Sequence, residues 1–393
     1  MKDDKKILLD FKMITRKKKK IMRMKNNKKF KKFRKKRNLN LNLYMKRILI
    51  LIFIIVIIII LIFIFSLLMI RKKIKKQFNM ENISYIFNYS LKYEEFDENI
   101  NEQYIQLQNK FCGKQNESLI QEYEDRLRKA DINFNGKKFQ MFVYKTNDTV
   151  SKGIRNSHRW EASHTLKVLK ALEYYSKKRN LENKDIYLLD IGSNIGWYTY
   201  YLGKYGYKVL SFEANKINNY ISYKSYCINK DVNVTLINKG LDKEDKICTL
   251  KTVDIDRGNG MIFWENREKR YDSFNGDNFN NVELIKLSRF YKYLSKKNLA
   301  FMKLDVEGSE ANVLEGGKEL ITKYHIPFIK MEYQFKMIET HRVNPLEFLQ
   351  FFENNGYKIS LKDFFSKKYI SSSELIQSKD NNDIYIVYEK FLE

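Results

Sequence analysis

The residues most able to do chemistry lie in two acid-bearing stretches. In the first, Phe301 to Glu310 (FMKLDVEGSE), an apolar run emerges into Asp305, Glu307, Gly308 and Glu310. Side chains two apart share one side of an extended chain, so Asp305 and Glu307 are expected to face together. Another apolar run, Ile326 to Met331, ends at Glu332. Three acids on one rim are costly unless they bind a cation, hydrogen bonds or a substrate. The chemistry this predicts is proton removal from a hydroxyl, or hydroxyl binding, by Asp305 or Glu307 with Glu332 assisting. A bound divalent cation is a second version, and a purely structural Asp305 a third. Gly308 and Glu310 are read as shaping and capping the helix that follows. His158, His164, His325 and His341 show no paired ligand spacing; His158 and His341 stay as alternative bases.

The second stretch, Ile186 to Asn215, reads as strand, glycine turn, helix, strand, acid. Asp190 closes the first apolar run, and Gly192-Ser193-Asn194-Ile195-Gly196 is the turn. Glycine lets a ligand approach the backbone closely, and a helix start offers free N–H groups to an anion. Glu213, about 20 residues beyond the turn, is placed to accept ribose hydroxyls. NAD, a flavin or S-adenosylmethionine could use such a unit. The spacing is G-x-x-x-G, so the dinucleotide fingerprint G-x-G-x-x-G is absent. An acid directly before the turn suits a cofactor with a cationic amino-acid end.

These residues need a sheet to hold them. Strands are expected at Ile186–Leu189, Val209–Phe212, Val234–Ile237, Val282–Leu287, Phe301 onward, Ile326–Met331, Tyr357–Leu361 and Asp383–Tyr388. Helices are expected at Arg159–Arg179, Asn215–Asn229, Phe290–Lys297, Ser309–Lys323 and Pro345–Asn355. Trp160 is read as core and Glu161 as favouring a helix amino end, with a role lining the site as the alternative. Leu241 to Asn281 is the least regular part. Before the unit, Glu117–Lys129 reads as helix and Phe139–Tyr144 as strand.

Net charge is +27, and its location matters more than its size. Residues 1–47 carry about +18 and Arg71 to Lys76 another +5, leaving about +4 for the rest. The excess argues for a tail near a membrane and against a nucleic-acid face on the domain. Ile48 to Ile70 is apolar but for Ser66. As helix, about 23 residues span ~34 Å, enough for a hydrocarbon core of ~30 Å. The amino flank is the more basic, which puts the amino end in the cytoplasm and the rest in a lumen. The domain plan is thus a basic cytoplasmic tail (1–47), a transmembrane anchor (48–70), a stalk and amino-terminal extension (71–156) and a catalytic domain (157–393). Sequons stand at Asn82, Asn88, Asn116, Asn147 and Asn233. Cys112, Cys227 and Cys248 show no metal spacing and allow one disulfide at most.

DIGSNIG (Asp190 to Gly196), Glu213, KLDVEGSE (Lys303 to Glu310) and the strand ending in Glu332 together resemble the FkbM family of S-adenosylmethionine-dependent methyltransferases. The resemblance runs from about Trp160 to Tyr388. It implies an α/β, Rossmann-like class I methyltransferase fold. Its seven-stranded, mostly parallel sheet would have an antiparallel last strand, here preceded by a transmembrane helix. It also implies S-adenosylmethionine at Asp190, Gly192, Asn194, Gly196 and Glu213, and methyl transfer to oxygen of a small molecule, glycan or carboxylate. A lumenal, membrane-anchored O-methyltransferase is the reading this supports. A non-catalytic, membrane-tethered binding protein on the same fold is the alternative.

Overall fold

The computed structural model describes residues 13–23, scattered positions between 50 and 66, and residues 95–113, 125–251, 261–263, 279–340, 343–378 and 381–393. The chain divides into two compact units, Met1–Met80 and Glu81–Glu393. In the first, residues 13–23 are helical and exposed. The span expected at 48–70 falls mostly outside the described residues. Among those described, no helix is long and apolar enough to cross a membrane. The stalk expected after residue 70 also lies outside them as far as Glu94.

The second unit holds thirteen strands among its described residues. They are β1 (Leu127–Phe134), β2 (Lys137–Tyr144), β3 (Ile186–Ile191), β4 (Lys208–Phe212), β5 (Val234–Ile237), β6 (Gly240–Asp242), β7 (Lys246–Lys251), β8 (Met261–Phe263), β9 (Phe279–Lys286), β10 (Asn298–Leu304), β11 (Phe328–Gln334), β12 (Tyr357–Ser360) and β13 (Asn381–Tyr388). The main sheet has the order β12-β13-β11-β10-β3-β4-β5. Strands β10, β11, β3, β4 and β5 run parallel, and β13 runs antiparallel between β11 and β12. The order reverses beside β3, between β10 and β4. In such sheets ligands bind beyond the carboxyl ends of the strands at that switch.

Both faces of the central strands are buried, which is why they read as unbroken apolar runs. Leu188, Val209, Phe301 and Phe328 share one core with the helix Ala162–Arg179. Leu189, Leu210, Met302 and Ile329 share the other. The helices that bear on the site are α1 (Glu98–Gly113), α2 (Thr149–Ser157), α3 (Ala162–Arg179), α4 (Trp197–Gly203) and α5 (Lys216–Cys227).

Three segments depart from the sequence expectations or add to them. The helix expected at Glu117–Lys129 is not seen: its described end enters strand β1, where Ala130, Ile132 and Phe134 alternate inward. An Asn135-Gly136 turn, both residues at positive φ, folds β1 back onto β2. That dipeptide is the strongest short hairpin signal, and it overrides the local helical tendency. The strand around Val282–Leu287 is β9, and it leaves the main sheet to pair in a four-stranded one, β6-β9-β7-β8. The helix expected over Ser309–Lys323 breaks into Glu310–Glu315 and Glu319–Thr322. Gly316 and Gly317 fill the break, and a Cβ on Gly316 would lie 2.2 Å from the Asp242 carbonyl oxygen.

The free edge of β5 is closed by α1. Buried Gln108 donates to Val234 O at 3.0 Å and accepts from Leu236 N at 2.7 Å, as a neighbouring strand would. Cys112 and Cys227 form a disulfide that ties α1 to α5, with Cα atoms 5.3 Å apart; Cys248 is buried and forms no disulfide among the described residues.

Candidate active site

A cavity of about 230 Å³ opens beyond the carboxyl ends of β3, β4 and β10. One part of its wall is the glycine turn. Gly192 N and Ser193 N both donate to Phe212 O at 3.0 Å, so the turn is stitched to the end of β4. Gly192 has φ +73, and a Cβ there would lie 1.7 Å from the Asp305 carbonyl oxygen. No other residue fits that position. Glu213 bridges the turn and α5: Oε2 accepts from Asn194 N and Oε1 from Asn215 N, each at 2.7 Å. Burial outweighs these bonds and pushes the Glu213 carboxyl up to about 7. Ser193 Oγ lines the same wall, buried and without a hydrogen-bond partner among the described residues.

Of the residues the sequence assigns to the cofactor, Gly192, Asn194 and Glu213 line the cavity. Asp190 and Gly196 are not in its wall. Asp190 is 2% exposed behind the turn, where Thr199 Oγ1 donates to Oδ2 at 2.6 Å. Its Oδ1 has no partner among the described residues. Burial raises its pKa, against the pull of Lys303. Gly196 (φ +93) starts α4 and faces the Tyr200 ring.

Asp305, Glu307 and Glu332 also line the cavity, with carboxylate oxygens all within 4.8 Å of one another. The expected convergence is therefore present, but its geometry differs from simple alternation. Strand β10 ends at Leu304, and Glu307 arrives through a left-handed turn at φ 53, with Gly308 next at φ 94. Glu310 is buried, and its Oε1 accepts from Val306 N and Gly308 N, fixing that turn. Burial pushes Asp305 up, but Lys303 and Lys330 outweigh it and hold the carboxyl below its ordinary range. Glu332 goes the other way: burial and the neighbouring Asp305 push it up to about 9. At neutral pH Glu332 keeps its proton and shares it with ionised Asp305.

Sequence reading passed over the cations beneath these acids. In register, Tyr385, Lys330, Lys303, Asp190 and Ser211 form one row across five strands. Lys303 Nζ donates to Gly192 O at 2.7 Å and meets Asp305 at 3.1 Å. Lys330 is 1% exposed and pairs with Asp383 at 2.6 Å and Glu161 at 3.0 Å. A signal for them existed. Lys303-Leu304-Asp305 and Lys330-Met331-Glu332 put a lysine and an acid two apart at the ends of adjacent buried strands, hence on one face.

Trp160 and Glu161 are in the wall too, while Trp160 also packs against the core and Glu161 stands at the amino end of α3, as expected. Glu161 makes no side-chain cap at the head of α3. Its Oε2 accepts from the Tyr198 hydroxyl at 2.7 Å and faces Lys330. Burial raises its pKa, but Lys330 and Tyr198 prevail, and it ends below the ordinary range. No described histidine lines the cavity. His158 bonds Asp131 O, His164 bonds the Tyr385 hydroxyl, His325 stacks on Tyr388, and His341 lies outside the described residues.

Residues 190–359 match the family model described as the methyltransferase FkbM domain. No curated protein matches the chain. Among solved structures, a T. thermophilus 16S ribosomal RNA methyltransferase in complex with AdoMet and guanosine is similar at 10% identity and TM-score 0.31, covering 67% of this chain and 50% of its own. The bifunctional kinase-methyltransferase WbdD is similar at 10% identity and TM-score 0.37, over 62% of this chain and 44% of its own. A SAM-dependent methyltransferase from Agrobacterium tumefaciens is similar at 6% identity and TM-score 0.32, over 67% and 70%. The chain thus spans about half the length of the first two. These likenesses are faint, and the family match is confined to residues 190–359.

Proposed function

We propose, from the match of residues 190–359 to the methyltransferase FkbM domain, that the chain is an S-adenosylmethionine-dependent enzyme and that it methylates an acceptor hydroxyl held among Asp305, Glu307 and Glu332. The observation that supports this is one cavity shared by the glycine turn, Glu213 and the three acids.

The wall fits the cofactor. The backbone at Gly192 leaves no room for a side chain. Glu213 offers a carboxylate to ribose hydroxyls, Ser193 Oγ is a buried group in want of a partner, and Phe212 and Leu241 supply apolar surface. Asp190 acts from behind, holding Thr199 and the end of β3. When bound, S-adenosylmethionine supplies an activated methyl group. The chain must orient the acceptor oxygen, shield it from water and take its proton. Asp305, fixed by Lys303, is the anion that orients the hydroxyl. Glu307 is the base. Glu332 carries a proton at neutral pH and limits the negative charge of the rim.

Two further readings rest on other parts of the chain. The apolar run 48–70 supports a membrane anchor. The Cys112–Cys227 disulfide supports a lumenal or extracellular domain, since such bonds persist where the compartment is oxidising. A glycan or small-molecule acceptor is consistent with that location.

The test is calorimetric titration of the protein with S-adenosylmethionine from pH 6 to 8, followed by labelled methyl transfer to a panel of hydroxyl-bearing acceptors. Ribose hydroxyls favour ionised Glu213, whose ionised fraction grows as pH rises through about 7. Affinity should therefore rise across that range. In Glu213→Gln it should be lower by about tenfold, the loss of one charged hydrogen-bond acceptor, and flat with pH. Absence of binding at every pH would end the proposal.

A further inference from the structure

Glu161 is not explained by its place at the head of α3. Its backbone is left-handed, φ 40, and its side chain caps nothing. Glu307, in the same cavity wall, is left-handed too, at φ 53. Non-glycine residues hold that conformation at a cost, and such residues gather where their side chains are used. Both contacts to the Glu161 carboxylate fall on Oε2, from Tyr198 and Lys330. No described residue bonds Oε1.

The charges of the wall are one-sided. Among the described lining residues five carboxyl side chains, Glu161, Glu213, Asp305, Glu307 and Glu332, stand against a single amine, Lys303. That amine is engaged by Asp305 and Gly192 O. Lys330 is buried beneath and engaged by Glu161 and Asp383. An acceptor bearing a carboxylate or phosphate would find no disengaged cation among the described lining residues. Trp160, half-buried beside Glu161, adds a flat apolar surface.

We propose that Glu161 is a specificity-determining residue of the acceptor subsite, accepting a hydrogen bond at Oε1 from a neutral or cationic hydroxyl- or amine-bearing acceptor and excluding anionic ones. This rests on the methyltransferase reading of the cavity. Like charges placed together across a contact are strongly unfavourable, so one fixed carboxylate suffices to discriminate.

The experiment uses the full-length chain, a labelled methyl donor and a pooled set of neutral hexosides, aminohexosides and uronosides, with products separated on an anion exchanger. For the wild type, label should enter neutral or cationic products over anionic ones by at least about tenfold. Glu161→Gln keeps the shape and removes the charge, and it should lower that ratio several-fold. Glu161→Lys should lower it further. The ratio compares products of the same folded molecules, so a loss of folded protein does not move it. Label in the uronosides from the start, or a ratio unchanged in Glu161→Gln, would overturn the assignment. No label in any fraction while the donor still binds would instead sink the methyl-transfer reading, and this inference with it.

Discussion

The two halves of the cavity are built in different ways. The cofactor half comes mainly from one continuous stretch, Asp190 to Asn215, with Leu241 added, and is held by backbone: paired amides on Phe212 O, and Glu213 on two more amides. The acceptor half comes from separate segments around Glu161, Asp305, Glu332 and Asp383, and is held by two buried lysines. Backbone contacts fix a shape and tolerate many side chains around it. Buried ion pairs fix charges, and each partner left alone is expensive. The cofactor half should therefore be sensitive to sterics, and the acceptor half to charge.

Gly192→Ala should have the largest effect, because it strikes the seam between the halves. The added Cβ would lie 1.7 Å from the Asp305 carbonyl at a φ of +73, so either the turn or the Asp305 loop must move. A loss of at least about 4 kcal/mol of stability is expected, with S-adenosylmethionine binding abolished in whatever remains folded. Thermal melting and calorimetry check both. A variant that binds the cofactor normally would show that the turn can shift without the acceptor wall, and the halves would be more independent than described.

Lys330→Met separates the halves more sharply. It leaves Glu161 and Asp383 without their cation in a buried setting, a loss of about 3–5 kcal/mol. Cofactor affinity should stay within about twofold, since Lys330 touches neither the turn nor Glu213. Methyl transfer should fall with the stability of the acceptor wall. If calorimetry shows cofactor affinity dropping along with the melting temperature, charge and backbone belong to one unit and the distinction fails.

The same contrast explains what was legible in the sequence. The cofactor half is local: Asp190, the glycines and Glu213 sit at fixed offsets on one strand–helix–strand unit, and period and spacing reveal them. Asp305 and Glu332 were visible as acids ending apolar runs. Lys303 and Lys330 stand in the same runs, yet a chain with 74 Lys and Arg residues makes any single lysine uninformative. Only register showed that the two are neighbours across β10 and β11. Glu161 was obscured because a glutamate before a helix has an ordinary explanation, and its left-handed backbone leaves no trace in composition. β9 was legible as a strand but its sheet was not: an apolar strand does not announce which sheet it will join, and its partner β7 is reached only through a long connection.

Glu332→Gln tests the charge rule with the smallest expected effect. In the folded chain Glu332 holds its proton to about pH 9, while unfolded it releases it near the ordinary 4.5. Between those values unfolding releases a proton, so the stability contributed by this group is full below about 4.5, declines as pH rises and is gone above about 9. Glutamine donates the same hydrogen bond to Asp305 and never ionises. In denaturant titrations at pH 5, 7 and 9, the variant should therefore gain on the wild type as pH rises, trailing or matching it at 5 and leading at 9. Methyl transfer should show the same crossing. Wild-type turnover declines as pH passes about 9, where a second charge appears beside Asp305, and the variant keeps its rate. A gap between the two proteins that stays constant with pH would mean Glu332 is already ionised at neutrality, and the rim would then carry more negative charge than the buried lysines balance.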